Sequence, residues 1–250
     1  MIEINNISKS FSGREVLSDI SFKFDTGKTN MIIGESGSGK TTLLKCMVGL
    51  NEIDSGQILY DGRSFTELDF MQKKEIRKEI GMLFQGGALF DSKTVEENVT
   101  FPISMFTDMT ESEKRERANF CLQRVNLVNA NNLYPSEISG GMKKRVAIAR
   151  AIAVQPKYLF CDEPNSGLDP KTSIVIDNLI KEITEEYNIT TVVITHDMNS
   201  VIEIGDHIMF IYKGRKHWEG SKEEILKTNN QEVCDFVYAT KFMKDLKTKF

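Results

Sequence analysis

The sequence predicts an α/β fold, on three observations. A short apolar run at residues 31–33 ends at Gly34 and leads through a glycine-rich turn into a helical stretch at 41–50. Two further apolar runs, 158–161 and 191–194, flank a helical stretch at 171–187. Uninterrupted runs of this length suit strands buried on both faces of a parallel sheet. Near the N-terminus, Ile2 and Ile4, then Ile20, Phe22 and Phe24, alternate with polar residues, the pattern of half-buried strands.

The remaining elements follow in order. Residues 58–60 lie between Gly56 and Gly62 and read as a short strand. The middle of the chain is helical. Thr94 with Glu97 and Thr110 with Glu113 have the spacing of capping boxes. After the second box, Ala118, Cys121, Leu122 and Val125 share one helical face. Ser139-Gly140-Gly141 precedes good helix formers at 142–153. Residues 208–212, Lys213-Gly214 and the stretch to Trp218 suggest a hairpin. Ser221 with Glu224 forms a third capping box and opens a charged helical tail. That tail ends in an amphipathic basic segment with Lys241, Phe242, Met243, Lys244, Leu246 and Phe250.

Composition narrows the class. The chain has 250 residues, 40% hydrophobic and 27% charged, which is the balance of a globular protein. A net charge of −4 supplies no basic footprint, so nucleic acid is not an expected partner. Cys46, Cys121, Cys161 and Cys234 form no CxxC pair, so neither a zinc site nor a disulfide framework is expected. They read as small core residues in a reducing compartment. The N-terminus lacks an apolar signal region, and no stretch approaches the roughly 20 apolar residues of a membrane span. The expectation is a cytoplasmic chain, with any membrane-spanning part supplied by another polypeptide.

The chemistry concentrates in three places. Gly34, Glu35, Ser36, Gly37, Ser38, Gly39, Lys40 and Thr41, with Thr42 next, are a full GxxxxGK[ST] match between a strand and a helix. The glycines let backbone N–H groups close around phosphate oxygens, and the helix N-terminus favours negative charge. Lys40 reaches the β- and γ-phosphates, and Thr41 ligates Mg²⁺. The apolar run at 158–161 ends in Asp162 and Glu163, at the strand end where α/β sites form. Asp162 suits Mg²⁺, held through water, and Glu163 suits polarisation of an attacking water. His196 follows the run at 191–195 and would reach the same sheet edge, near the γ-phosphate. His207 and His217 read as structural.

With these motifs goes Ile138-Ser139-Gly140-Gly141-Met142, which resembles the LSGGQ signature of the ABC ATPase family. The order of motifs is also the family's, and Asn165-Ser166-Gly167-Leu168-Asp169 is similar to its D-loop. The resemblance implies a P-loop NTPase, RecA-like core with an antiparallel β subdomain and an inserted α-helical subdomain. The expected limits within this single domain are 1–84 and 152–220 for core and β subdomain, 85–151 for the helical subdomain, and 221–250 for the tail. It implies ATP and Mg²⁺ as ligands, and a head-to-tail dimer of two copies with two ATP at the interface. Ser139, Gly140 and Gly141 would then bind the γ-phosphate held by the other copy. Phe11 stands where the family stacks an aromatic on adenine, or is an ordinary buried phenylalanine. Gln85 would sense Mg²⁺ and the γ-phosphate and open a loop, to Asp91, that touches a transmembrane permease. Apolar Leu89 and Phe90, with mobile Gly86 and Gly87, suit that contact.

Met142 departs from the family's usual glutamine. SGGM followed by a basic pair resembles a narrower group, the ATPases of lipid-transport systems that work with MCE proteins. Phe84 to Asp91, and Glu97-Asn98-Val99 through Phe101-Pro102, are similar to that group too. Energised transport of phospholipid or another lipophile through a separate permease is the implied function. An MCE-type lipid-binding protein and a small regulatory subunit are further implied partners, and the location would be peripheral on the inner face of the membrane. The alternative is an importer for amino acids or another small polar solute, where the cassette chemistry is the same. Soluble ABC proteins of DNA repair or chromosome structure usually carry a coiled-coil insertion, and this chain has none.

Overall fold

The computed structural model describes residues 1–239, so the basic segment beyond Tyr238 lies outside the described residues apart from Ala239. In chain order the elements are β1 (Ile2–Phe11), β2 (Arg14–Phe24), β3 (Thr29–Ile33), α1 (Lys40–Met47), β4 (Ser55–Tyr60), β5 (Arg63–Ser64), α2 (Phe70–Lys78), β6 (Ile80–Leu83), α3 (Val95–Phe106), α4 (Glu111–Arg124), α5 (Gly140–Ile152), β7 (Tyr158–Asp162), α6 (Pro170–Glu186), β8 (Thr190–Thr195), α7 (Met198–Ile204), β9 (His207–Tyr212), β10 (Arg215–Gly220), α8 (Lys222–Ile225) and α9 (Gln231–Val237). They fall into two compact units, Met1–Leu68 with Thr190–Phe250, and Asp69–Ile189. The helical region expected at 85–151 lies wholly inside the second, which also takes in α2, β6, β7 and α6.

In the first unit the N-terminal strands form an antiparallel sheet in the order β2-β1-β4-β5. Ser12 and Gly13, at φ 49° and 80°, turn β1 back onto β2 with the backbone twist of a two-residue hairpin. Alternation does the rest: Ile2, Ile4, Ile7, Leu17, Ile20 and Phe24 are fully buried. Asn6 and Asp19 both take positive φ where the register shifts, and the Asn6 amide donates to the Asp19 carboxylate at 2.6 Å. The short strand expected at 58–60 is β4, paired antiparallel with β1.

The same unit holds the parallel strands β3, β8 and β9. β3 lies between β8 and β9, with Ile33 opposite Thr195 on one side and Phe210 on the other. All residues of β3 and β8 are buried: the apolar runs 31–33 and 192–194 suit a sheet covered on both faces, and Thr29, Asn30, Thr190, Thr191 and Thr195 are buried with them. Lys213 and Gly214, at φ 46° and 78°, make the predicted β9–β10 hairpin. The Ser221–Glu224 capping box is present but starts only a four-residue helix, and Asn230 caps a separate one. Over its described residues the tail expected to be helical from Ser221 consists of these two short helices.

The second unit pairs β6 parallel with β7 and packs helices around them. Capping boxes form at Thr94–Glu97 and Thr110–Glu113, where the sequence places them, and also at Asp69–Gln72. The α4 face of Ala118, Cys121 and Leu122, continued by Val125, is buried. All four cysteines are free and buried.

Candidate functional site

The phosphate loop belongs to the first unit. β3 ends at Ile33 and α1 begins at Lys40, and the six residues between them wrap a concave turn. Its shape depends on glycine at two points. At Gly34, φ 149°, a Cβ would lie 2.2 Å from the Ile211 carbonyl oxygen. At Gly39, φ 107°, it would lie 2.7 Å from the Leu17 side chain. The Lys40 ammonium, buried, donates to the carbonyls of Gly34 and Glu35 at 2.8 Å each, and so arches over the loop. Ser38 is buried too, and its hydroxyl finds no hydrogen-bond partner among the described residues. The N-terminus of α1 carries no side-chain cap and no acidic residue in its first turn. An anion is what such a terminus and such a hydroxyl accommodate. Glu35, Ser36 and Gly37 are exposed, and Thr41 and Thr42 sit in the first turn of α1.

His196 leaves β8 one residue after Thr195, which pairs with Ile33, so it emerges at the same edge as Gly34 and is exposed there. Phe11 ends β1 opposite Arg14 and is 44% exposed, which removes the reading of an ordinary buried phenylalanine. Lys9 places its ammonium 5.3 Å from the Phe11 ring centroid.

The acidic strand end belongs to the second unit. Leu83 of β6 pairs with Cys161 of β7, so Gln85 and the Asp162–Glu163 pair leave the strands at the same end. Asp162 is buried, and Glu163 is partly exposed with φ 48°, a left-handed conformation that costs a non-glycine residue about 1 kcal/mol or more. Gln85 is exposed and its amide donates to the Ser166 hydroxyl at 3.4 Å. Asn165 donates to buried Asp177 on α6 at 2.8 Å, which anchors the segment after Glu163.

Two cations on α5 hold this end together, and the sequence reading assigned neither a role. Lys144, only 5% exposed, donates its ammonium to the carbonyl of Gln85 and, at 3.4 Å, to that of Glu163. Burial lowers its pKa from the usual lysine value, while the nearby Asp162 and Glu163 carboxylates oppose that shift. Arg150 donates to the carbonyls of Gly87 and Ala88 at 2.7 Å each. Asn98 adds bonds to the main chain of Phe90, Lys93 and Thr94. The loop expected to be mobile at Gly86 and Gly87 is thus hydrogen-bonded along its length. The signal for Lys144 was its basic pair with Lys143, next to a buried stretch of helix.

The signature residues start α5. The Ser139 hydroxyl accepts from the Met142 N–H at 3.3 Å, and Gly140 and Gly141 form the first helical turn. Gly140 is exposed, and a Cβ there would meet only Leu168, at 3.8 Å. A Cβ on Gly141 would lie 2.7 Å from the Thr172 methyl. Beside the Gln85 loop lies an open apolar groove of about 390 Å³, lined by Ile80, Met82, Phe84, Phe90, Phe101, Phe106 and others.

A phosphate loop after a buried parallel strand, in an α/β fold with an acidic strand end, defines a P-loop ATPase. The family profile described as ABC transporter matches residues 17–166, and the chain belongs to that family. It is 38% identical over 237 residues to the intermembrane phospholipid transport system ATP-binding protein MlaF of Haemophilus influenzae, covering 95% of this chain and 90% of that one. It is 39% identical over 233 residues to the methionine import ATP-binding protein MetN of Clostridium acetobutylicum, covering 93% and 72%. Among solved structures, the ATP-binding cassette MJ0796, described as a dimer in a post-hydrolysis state bound to ADP and Pi, superposes with a TM-score of 0.82 at 33% identity, covering 89% of this chain and 99% of that one. The cassette cbiO1 of Clostridium perfringens superposes at 0.85 with 28% identity, covering 100% and 98%. The chain is an ABC ATPase subunit that binds and hydrolyses ATP. Among the described residues no helix is long and apolar enough to cross a membrane.

Proposed function

We propose that this ATPase energises movement of a phospholipid or similar lipophile through a separate transmembrane permease, from a peripheral position on the membrane's inner face. The observation that carries the coupling half of this reading is the double attachment of the Gln85 loop. One end shares a lysine clamp with Glu163, and further along Ala88 and Phe90 line an exposed aromatic groove. Phe84 and Phe90 are partly exposed there, an anchorage of the kind that takes an apolar helix end. The lipid half rests on the SGGM signature and on the similarity to MlaF.

In the first unit, the Gly34 to Gly39 amides, Lys40 and the hydroxyls of Ser36, Ser38 and Thr42 hold the phosphates, Phe11 stacks on the base, and His196 contacts the γ-phosphate. Thr41 offers its hydroxyl to Mg²⁺. In the second, Asp162 and Gln85 offer oxygens to Mg²⁺, and Glu163 acts as general base toward water. Mg²⁺ held by these residues would supply positive charge toward the phosphate oxygens. Two copies pair head to tail, as in the dimeric MJ0796 cassette, and Ser139, Gly140 and Gly141 of one copy reach the ATP of the other. An RecA-like core, an antiparallel β layer and a helical subdomain remain the domain plan.

Glu163→Gln tests the mechanism. It keeps a hydrogen bond but removes the basic lone pair, so turnover falls by about 10²- to 10⁴-fold while ATP binding persists. Near-normal hydrolysis would remove Glu163 from the mechanism. Affinity purification of the tagged chain from membranes tests the substrate. Recovery with a permease, an MCE-type protein, a small regulatory subunit and phospholipid supports the lipid reading. Recovery with a permease and an amino-acid-binding protein replaces it with the importer reading.

A further inference from the structure

Lys144 is costly where it stands. An ammonium withdrawn from water loses several kcal/mol of hydration unless other groups replace it, and an apolar residue of the same volume would usually be cheaper. Its neighbours on α5, Val146 to Ala149, are buried apolar residues, so the position would accept one. The replacement for water here is specific. The head group spans two main-chain carbonyls, one at Gln85 after β6 and one at Glu163 after β7. Those two residues are far apart in sequence and adjacent only because β6 and β7 pair. Glu163 has the less stable positive φ, so its backbone needs external support to keep the side chain aimed. Its carbonyl also accepts from the Ser166 N–H at 3.1 Å, so Lys144 is the second donor on that oxygen. The lysine itself rides five residues after Ser139, on the helix whose first turn carries Gly140 and Gly141.

We infer that Lys144 is a positioning residue for hydrolysis: its ammonium fastens the Gln85 and Glu163 carbonyls to the signature helix and keeps these three parts of the site in register. This rests on the reading of Glu163 as general base. Lys144 touches no reacting atom. It acts through the backbone of Glu163, which it holds against the local strain, and through the loop that begins at Gln85. Arg150, further along α5, holds the same loop at Gly87 and Ala88, a second tie between the loop and that helix.

The test is a double-mutant cycle in the full chain, with Mg-ATP as substrate. Lys144→Met keeps the length and packing of the side chain and removes the donor. Misplacement of a catalytic group by about 1 Å can cost about a hundredfold. The expected result is a fall in kcat of about tenfold or more with the ATP KM within about threefold, since ground-state binding uses other groups. Lys144→Arg, which keeps a charged donor, restores most of kcat. In a Glu163→Gln background Lys144→Met has little further effect, because the group it positions is gone. A merely structural lysine would lower the melting temperature and act additively in both backgrounds. Should Lys144→Met fail to fold, Lys144→Leu, which is also apolar and removes the donor, carries the same comparison. If Glu163→Gln abolishes turnover while Lys144→Met leaves kcat unchanged, or if the two effects add, the positioning role is overturned and the general base stands. If Glu163→Gln hydrolyses normally, the general-base reading itself has failed.

Discussion

Gly140→Ala separates what α5 needs from what ATP hydrolysis needs. In the folded chain the new methyl has room, since the nearest atom is the Leu168 side chain at 3.8 Å, an ordinary van der Waals contact. Gly140 has no positive φ that alanine would resist, and it starts a helix. Alanine is favoured over glycine inside helices by about 0.5–1 kcal/mol, with the first turn at the lower end. For a chain of this size such a gain raises the melting temperature by about 1–4 °C. Within one chain, then, the substitution is neutral or stabilising. If Gly140 meets a phosphate carried by a second copy, the methyl stands where that phosphate must approach. A displacement of about 1 Å then costs about a hundredfold in rate. Melting by differential scanning calorimetry and steady-state hydrolysis on the same preparation make the comparison. A protein that is slightly more stable and nearly inactive is the expected outcome. Equal or higher stability with wild-type turnover would refute the proposal that Gly140 serves the nucleotide in trans. Gly141→Ala is the internal control: its methyl would press on Thr172 Cγ2 at 2.7 Å, so it should lose stability as well as rate.

Other outcomes follow from the same geometry. Lys40→Ala removes the buried cation that bridges the Gly34 and Glu35 carbonyls, so nucleotide binding measured by isothermal titration calorimetry should fall below detection and turnover with it. Thr110→Ala removes the α4 cap and should cost about 1 kcal/mol near neutral pH in urea unfolding. The Thr110 N–H, and after it the Thr110 hydroxyl, hold the Glu113 carboxyl below its usual 4.5, so the box contributes fully above that value and fades as pH falls through the lowered one; alanine keeps the N–H and loses the hydroxyl's share. The gap between Thr110→Ala and wild type should therefore narrow in acid. Burial pushes the Cys46 and Cys121 thiols up to about 11, so both should resist a thiol-specific disulfide reagent at pH 8 in the folded protein and react once guanidinium unfolds it.

The parts that sequence foretold are those whose local chemistry has one solution. β3, β7 and β8 each contain a short apolar run, at 31–33, 158–161 and 192–194, and such runs could hardly lie anywhere but a buried sheet. The Thr94–Glu97, Thr110–Glu113 and Ser221–Glu224 boxes each satisfy two helix-end donors and were visible as spacing. The phosphate loop combined three glycines, a lysine and a hydroxyl. What escaped were elements held by tertiary contacts. α2 buries only Ile76 and exposes Phe70 and Met71, so it shows no apolar stripe. β6 has four residues, one of them Gly81, whose Cβ would sit 2.4 Å from the Ala151 carbonyl oxygen; the strand exists because α5 packs that closely. Lys144 and Arg150 escaped because a basic residue beside an apolar helical face usually means solvent. Their partners are carbonyls, and carbonyls leave no mark in a sequence.

That last point bears on how the protein can change. Asn98, Lys144 and Arg150 hold the segment from Gln85 to Thr94, and every bond they make to it ends on a main-chain atom. The anchorage is blind to the side chains it secures. Leu89 and Asp91 can be rewritten without loosening the strap that carries them, whereas the Phe90 ring also packs on Phe101, with centroids 4.6 Å apart. If this surface is where the proposed permease docks, a scaffold of this kind keeps its timing while its handshake drifts, and one cassette could be refitted to a different membrane machine by spelling changes confined to one surface.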